Sequence, residues 1–229
     1  QYPGARAVLF YGSCLREQQL DGLMLDFYLI VEEYRTAYPQ RWLAWANRLI
    51  PPNVFPFAHN GMAAKYAVLS EADFAALNTP AASTVSVWAR FSQPVRLVWQ
   101  ADSKAAEMAL DAIAQAPATL FHLARPLADS ADVLDIWRTG YARTYDCELR
   151  AERNSRSGSI IDSDPARYSA LGALVPDSAP QMSRNAAAAK WASLRRMGKW
   201  MSVVRLAKAS LTFAGGVDYL AWKINRHAG

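Results

Sequence analysis

Apolar positions divide the chain into a strand-rich first part and a helix-rich second part. Short apolar runs typical of buried strands occur in ARAVLFYGS, GLMLDFYLIV, AAKYAVLS and QPVRLVWQ. Helical spacing predicts a helix over residues 38–50, which ends at Pro51-Pro52. Ser70, followed three residues later by Asp73, predicts a capping box that opens another helix. The segment STVSVWARF fits either a helix or a strand.

The pattern changes after Asp102, where long segments with helical spacing replace the strand-like runs. These segments are SKAAEMALDAIAQAP, TLFHLARPL and DVLDIWRTGYARTYDCELR. We therefore predict an α+β protein whose strands form a mixed sheet. Residues 1–102 would form an α/β domain, residues 103–183 a mostly helical domain, and residues 184–229 a basic terminal segment.

Charge is unevenly distributed along the 229 residues, whose formal net charge is +5. Residues 184–229 contain nine Lys or Arg and one acidic residue, so this segment carries +8 and the remainder −3. A basic segment attached to a nearly neutral body favours an anionic partner, either a membrane surface or nucleic acid.

The basic segment also has the spacing of an amphipathic helix between residues 184 and 213. Leu194, Met197, Met201 and Val204 recur at steps of three or four residues. Basic and aromatic side chains alternate with them: Arg195, Arg196, Lys199, Trp200, Arg205 and Lys208. Such a helix can lie in the headgroup layer of a membrane, and we predict that these six residues contact lipid. The alternative is a terminal helix that packs on the core.

Composition favours a reduced, cytosolic protein. The two cysteines, Cys14 and Cys147, show no C-x-x-C or Cys/His spacing, and the three histidines are isolated from one another. No apolar run reaches the ~18 residues of a membrane span. If the protein works on a membrane, we expect it to work from the surface.

Two features of the first part carry chemistry. Asp26 lies inside the apolar run GLMLDFYLIV, where strand alternation places it on one face with Met24 and Tyr28. An unpaired buried carboxylate costs several kcal/mol, so such a residue usually lies beside a cation, a metal ion or water. Upstream, Gly12 and Ser13 end the preceding strand, where a glycine lets the backbone approach a phosphate.

A strand, a Gly-Ser turn, a spacer and a strand with a carboxylate resemble the DNA polymerase β-type nucleotidyltransferases. In those enzymes carboxylates hold Mg²⁺, which bridges the nucleotide triphosphate and the attacking oxygen. Their usual pattern has two acids two residues apart, whereas the same-face neighbours of Asp26 are Met24 and Tyr28. Asp21 fits a solvated loop better, so a second metal ligand must come from elsewhere in the chain.

Five stretches occur in order along the chain: YGS…MLDF, KYAVLS, ARFSQPVRLV, DIWRTGYARTYDCELR and SVVRLAKASLTFAGG. Together they resemble the mitochondrial translocator-maintenance family of phosphatidate cytidylyltransferases and its bacterial relatives. The resemblance implies an enzyme that combines CTP with phosphatidic acid, giving CDP-diacylglycerol and pyrophosphate, with Mg²⁺. It also implies a nucleotidyltransferase domain, a helical, winged-helix-like domain that contributes to the active site, and a C-terminal membrane-binding segment.

The resemblance also assigns roles to individual residues. Asp146 matches the acid of a Gly-Asp-Phe-Arg-like stretch, which reads Tyr-Asp-Cys-Glu here, and would be the second metal ligand beside Asp26. Glu148 and Asp102 are alternatives, and Asp146 could instead pair with a nearby arginine. Lys65 would contact the CTP phosphates, or could be a lysine at a strand end whose charged group reaches solvent.

Further positions complete the predicted nucleotide site. Arg90 would hold phosphate, although surface arginines are common, and Arg96 is a weaker candidate. The usual Gly-Ser-Gly reads Gly12-Ser13-Cys14 here, which removes one flexible residue from the turn.

The preferred function is cytidylyl transfer to phosphatidic acid at an anionic membrane surface, with no nucleic-acid partner. With the bacterial relatives in the resemblance, we expect a cytoplasmic protein that is peripheral on the inner face of the bacterial membrane. One alternative keeps the fold and transfers the nucleotide to RNA, a protein or a small molecule. Another is a catalytically degenerate protein that binds lipid.

Overall fold

A mixed five-stranded sheet lies at the centre of the computed structural model, which describes residues 2–17, 24–60, 62–148, 160–175 and 182–212. The strands of the described residues are β1 (Ala5–Tyr11), β2 (Leu25–Val31), β3 (Asn53–His59), β4 (Met62–Ser70) and β5 (Val95–Gln100). Their order across the sheet is β3-β4-β2-β1-β5. Only β2 and β4 pair in parallel, and the other neighbours are antiparallel. The predicted mixed sheet is confirmed.

The faces of β2 follow the predicted alternation. Tyr28 and Ile30 point into the larger hydrophobic cluster, whereas Leu29 and Val31 point into the smaller one on the other side of the sheet. Both faces of the strand are therefore covered. This explains why its sequence is apolar almost throughout rather than at every second position.

Helices pack around the sheet and predominate among the described residues of the second part of the chain. The helices of the described residues are α1 (Ser13–Glu17), α2 (Tyr34–Ala37), α3 (Arg41–Leu49), α4 (Glu71–Leu77), α5 (Trp88–Phe91), α6 (Ser103–Ala124), α7 (Val133–Cys147), α8 (Pro165–Ala173) and α9 (Arg184–Thr212). A 3₁₀ turn spans Arg125–Leu127. Among the described residues after Asp102 every regular element is helical, so the fold is α+β as predicted.

Helix boundaries follow local capping chemistry. The Ser70 hydroxyl accepts a hydrogen bond from the Asp73 amide at 3.2 Å, which confirms the predicted start of α4. The Asp102 carboxylate accepts from the Ala105 amide at 2.7 Å and caps α6 in the same way. α6 continues through Pro117, although proline removes one backbone hydrogen bond. α3 is shorter than the predicted residues 38–50, since it begins at Arg41.

The larger hydrophobic cluster joins all three predicted parts of the chain. It contains Leu9 from β1, Trp137 and Tyr141 from α7, and Trp191 from α9. On the other face of the sheet, a smaller cluster fixes α2 and α3, with Leu43 and residues of β2. The division at residues 102 and 183 stays a prediction. In the described part of the chain, no helix is long and apolar enough to span a bilayer.

Candidate functional site

The Gly12 turn lies directly against the carboxylate of Asp26. Tyr11, the last residue of β1, is paired with Asp26 on β2, so the turn that follows β1 begins beside this side chain. Gly12 has a φ of +99°, and a Cβ added there would lie 3.0 Å from Asp26 Oδ2. Glycine therefore fulfils two conditions at once, the left-handed backbone and the close approach. Ser13 follows immediately as the first residue of α1.

Lys65 forms an ion pair with Asp26. The two residues are paired on the neighbouring parallel strands β2 and β4, and Lys65 Nζ lies 3.1 Å from Asp26 Oδ1. Asp26 Oδ1 is buried and accepts no hydrogen bond, so Lys65 attracts it through charge alone. The carboxylate thus keeps an unsatisfied oxygen that a further cation or donor would stabilise.

A second ion pair joins α5 to the residue after α7. The Arg90 guanidinium lies 3.4 Å from Glu148 Oε1, and the same nitrogen donates a hydrogen bond to the Ser86 carbonyl. The Glu148 side chain is 11% exposed, so most of its charge is shielded from water. The pair brings the end of α7 next to α5, although Arg90 and Glu148 are more than fifty residues apart in the sequence.

Two tyrosines, Tyr11 and Tyr28, lie close to the charged groups of both ion pairs. The rings of Tyr11 and Tyr28 are 5.2 Å apart between centroids. Burial raises the pKa of both phenols, and the charges of Arg90, Asp26 and Glu148 act on both of them as well. Asp26, Glu148 and Arg90 therefore belong to one electrostatic neighbourhood.

Glu148, and not the predicted Asp146, is the acid that lies beside Arg90, and the role of Asp146 as a metal ligand stays a prediction. The Asp146 side chain is exposed on the last turn of α7, and its charge acts on the Cys147 thiol. Burial, the first cause, together with Asp146 and Glu148, raises the pKa of that thiol to about 12. Sequence reasoning ranked Glu148 below Asp146 because the resemblance matches only Asp146.

Two basic side chains of α9, Arg205 and Lys208, point toward the body of the protein and are half-buried. Arg205 Nε donates to the Pro51 carbonyl at 3.0 Å. Lys208 Nζ donates to the Pro52 carbonyl at 2.9 Å, to Asn53 Oδ1 at 3.0 Å, and to the Ile50 carbonyl. Burial and the neighbouring Arg205 lower the pKa of Lys208 to about 7. Both side chains thus hold α9 on the segment between α3 and β3.

Arg205 also approaches the candidate site. Burial lowers its pKa, and the charges of Tyr28, Arg90 and Glu148 act on it. Of the six residues predicted to contact lipid, Arg205 and Lys208 are half-buried, while the other four are exposed: Arg195, Arg196, Lys199 and Trp200. The helix therefore packs on the body through one face, as one of the predicted alternatives requires, and its other face is open to solvent. Contact of that face with lipid stays a prediction.

A close crossing of α7 and α9 fixes Glu148 and Arg205 in place. Gly198 on α9 contacts the end of α7, and a Cβ added at this glycine would overlap the Cys147 carbonyl oxygen. Glu148 is the next residue after this contact. The absence of a side chain at Gly198 therefore sets how closely α9 approaches the site.

The donor set around Asp26 suits a magnesium ion that is completed by substrate. Mg²⁺ usually binds one or two carboxylates, together with waters and substrate phosphates. Asp26 supplies a buried oxygen without a hydrogen bond, and Glu148 lies in the same neighbourhood. Among the described residues no group of three or more His, Cys, Asp or Glu side chains is close enough to hold a metal without a substrate.

Gly12→Ala should reduce activity more than stability. A Cβ at a φ of +99° costs about 1–2 kcal/mol, and it would also push the Asp26 carboxylate from its position. We expect a small loss in urea unfolding and a drop in nucleotide transfer of about tenfold or more. Gly4→Ala, before β1, is the matched control, since its Cβ would also make a close contact, 2.7 Å from Thr36 Oγ1, but away from Asp26. Equal activity losses in both variants would contradict the assigned role of the turn.

Comparisons with other proteins do not assign this chain to a family. No protein-family model matches the chain, and no curated protein sequence matches it. Among solved structures, the chain is similar to a nucleotidyltransferase-like protein from Exiguobacterium sibiricum, at 11% identity and a TM-score of 0.31. That match covers 97% of this chain and 87% of the other.

Proposed function

We propose that the protein transfers CMP from CTP to phosphatidic acid at a membrane surface, with Mg²⁺, giving CDP-diacylglycerol and pyrophosphate. The observation that carries the nucleotidyl-transfer part is the Asp26 carboxylate, with its buried oxygen that accepts no hydrogen bond, held between the Gly12 turn and Lys65. The choice of CTP and phosphatidic acid is supported by the sequence resemblance described above.

Each residue of the site has a distinct role in this proposal. The backbone of Gly12 and the hydroxyl of Ser13 bind the triphosphate. Lys65 and Arg90 offset the negative charge that develops on the leaving pyrophosphate. Asp26 would hold the metal, with Glu148 favoured by placement and Asp146 by the family pattern as the second acid.

Magnesium, when bound, would neutralise phosphate charge and help to orient the triphosphate. The residues of the chain position the reacting groups. Its strands hold Asp26 and Lys65 in register, and the rings of Tyr11 and Tyr28 pack against each other on the same two strands as the carboxylate. Positioning and charge stabilisation provide most of the rate of phosphoryl-type transfers.

The reaction is an in-line substitution at the α-phosphorus of CTP. A phosphate oxygen of the lipid forms a bond to that phosphorus, and the bond to the bridging oxygen of the β-phosphate breaks. Pyrophosphate leaves with the electron pair of the broken bond. Little base catalysis is needed, because a phosphate monoester is already largely ionised at neutral pH.

A lipid acceptor agrees with the exposed part of α9. Arg195, Arg196, Lys199 and Trp200 are exposed, and the whole of α9 contains no acidic residue. A basic, aromatic helix face of this kind binds anionic headgroups, with about 1 kcal/mol for each Lys or Arg near the surface. The lipid acceptor would then lie in the same membrane surface to which α9 binds.

The direct test incubates the protein with CTP labelled in its cytosine, Mg²⁺ and vesicles that contain phosphatidic acid. We expect label in the organic extract as CDP-diacylglycerol, together with one pyrophosphate for each lipid formed. Label on RNA or protein would instead identify another acceptor. Calorimetry with Mg²⁺ and CTP covers the remaining case, because a protein that binds vesicles but no nucleotide would be a degenerate lipid-binding protein.

A further inference from the structure

Helix α3 presents its most apolar side chains to solvent. Trp42 is 52% exposed, Trp45 64% and Leu49 71%. They follow one another at steps of three and four residues, so they share one face of the helix. An exposed face with two tryptophans and a leucine is unusual on a protein surface and marks a docking site.

The opposite face of α3 is firmly anchored. Leu43 and Ala44 are buried in the smaller cluster against the sheet. Asn47 is fully buried and donates hydrogen bonds to the Val68 carbonyl at 2.9 Å and to the Tyr38 hydroxyl at 3.0 Å. The helix is therefore held by one face, and the tryptophans are not needed for that attachment.

Arginines flank the exposed apolar face. Arg41 and Arg48 are exposed on one side of it, and α3 contains no acidic residue. Arg41 and Arg48 border a cleft of about 680 Å³ whose lining also includes Glu32, Glu33 and Asp73. Since these acids partly balance the arginines, the apolar side chains would supply most of the binding energy.

The C-terminal part of α9 lies close to the end of α3. On α9, Trp200, Val203 and Leu206 are each more than half exposed. Lys208 donates a hydrogen bond to the Ile50 carbonyl, so Leu49 and Leu206 both lie within two residues of this contact. The hydrogen bond thus brings two helices with apolar outer faces and basic flanks together.

We propose that α3 is a second membrane-docking element, which inserts Trp42, Trp45 and Leu49 into the headgroup region of an anionic bilayer beside α9. Tryptophan prefers this interface because its ring is apolar and its N–H is polar. The arginines of α3 and the basic residues of α9 match anionic headgroups. The same chemistry on two adjacent helices favours an extended lipid surface over the single groove of a protein partner.

This inference rests on the proposed function only for its location at a membrane, and it is tested without substrate. The full chain is mixed with vesicles of equal parts phosphatidylcholine and phosphatidylglycerol, and binding is measured by co-sedimentation. We expect Trp42→Gln/Trp45→Gln to weaken binding by about tenfold or more. The residual binding should come from α9 and should be abolished by high salt.

A matched variant controls for the loss of exposed apolar surface. Val98 and Trp99 are 46% and 48% exposed on the edge strand β5, so Val98→Gln/Trp99→Gln removes similar groups elsewhere. Its vesicle binding should equal that of the wild type. Unchanged binding in the α3 variant, or equal losses in both variants, would overturn the proposal.

Other occupants of the α3 face give different results without vesicles. A lowered thermal midpoint in Trp42→Gln/Trp45→Gln would show that the chain covers the face itself. Loss of a dimer in sedimentation would identify a second copy as the partner. Both results would overturn membrane docking by α3.

A soluble substrate separates this inference from the proposed reaction. With short-chain, water-soluble phosphatidic acid, the α3 variant should transfer CMP at the wild-type rate, while transfer on vesicles falls. If the wild type transfers nothing to either substrate, the proposed function fails, and the vesicle-binding result still decides whether α3 docks.

Discussion

Asp26→Asn is expected to abolish nucleotide transfer while the fold stays intact. The amide keeps the size of the side chain but removes the charge that a phosphate-bound cation requires, so we expect a loss of about 10³-fold or more. The fold should survive because Lys65, the partner that loses its pair, is 36% exposed and can be hydrated. Activity is measured with labelled CTP, and the fold by circular dichroism and thermal unfolding.

The control for this variant is Asp162→Asn. Asp162 also pairs with a cation at 3.1 Å, Arg138, but on the exposed surface away from the sheet. This variant should keep full activity, since it removes an equivalent ion pair without touching the site. Wild-type activity in Asp26→Asn would refute the assignment of the site.

Gly198→Ala should destabilise the protein, although the same change in an open helix would stabilise it. Replacing glycine by alanine in a free helix gains up to about 1 kcal/mol. Here the new Cβ would overlap the backbone carbonyl oxygen of Cys147, which cannot move without shifting α7. We expect a net loss of about 1–3 kcal/mol in the free energy of unfolding.

The same variant should lower activity, because moving α9 away from α7 displaces Glu148 and Arg205 together. Urea unfolding and the transfer assay measure the two effects. Ser193→Ala is the control on an exposed position of α9, and it should be neutral or slightly stabilising. A stabilised, fully active Gly198→Ala would show that the crossing does not hold the site.

The sequence predicted the elements whose signals are local. Four of the described strands match apolar runs, and Ser70 caps α4 where its spacing indicated. The pattern missed β3, because Pro56 interrupts its strand signal. Proline is tolerated there since β3 lies at the edge of the sheet, a position that only the pairing with β4 defines.

Periodicity also left the orientation of helices open. Both faces of α3 carry apolar residues, so its spacing indicates a helix but not which side is buried. Contacts with the sheet bury Leu43 and leave Trp42 and Trp45 outside. In α9, Lys199 and Lys208 have the same side chain, yet packing on Pro52 and Asn53 turns only Lys208 inward.

By itself, the sequence determined the half of the candidate site that two adjacent strands and their turn create. Gly12 and Asp26 are close because β1 and β2, two apolar strands consecutive in the sequence, pair antiparallel with Tyr11 opposite Asp26. Tertiary structure alone placed Glu148 beside Arg90 and turned Arg205 inward. These positions depend on α7 and α9 crossing at Gly198, a contact between distant segments that no local pattern encodes.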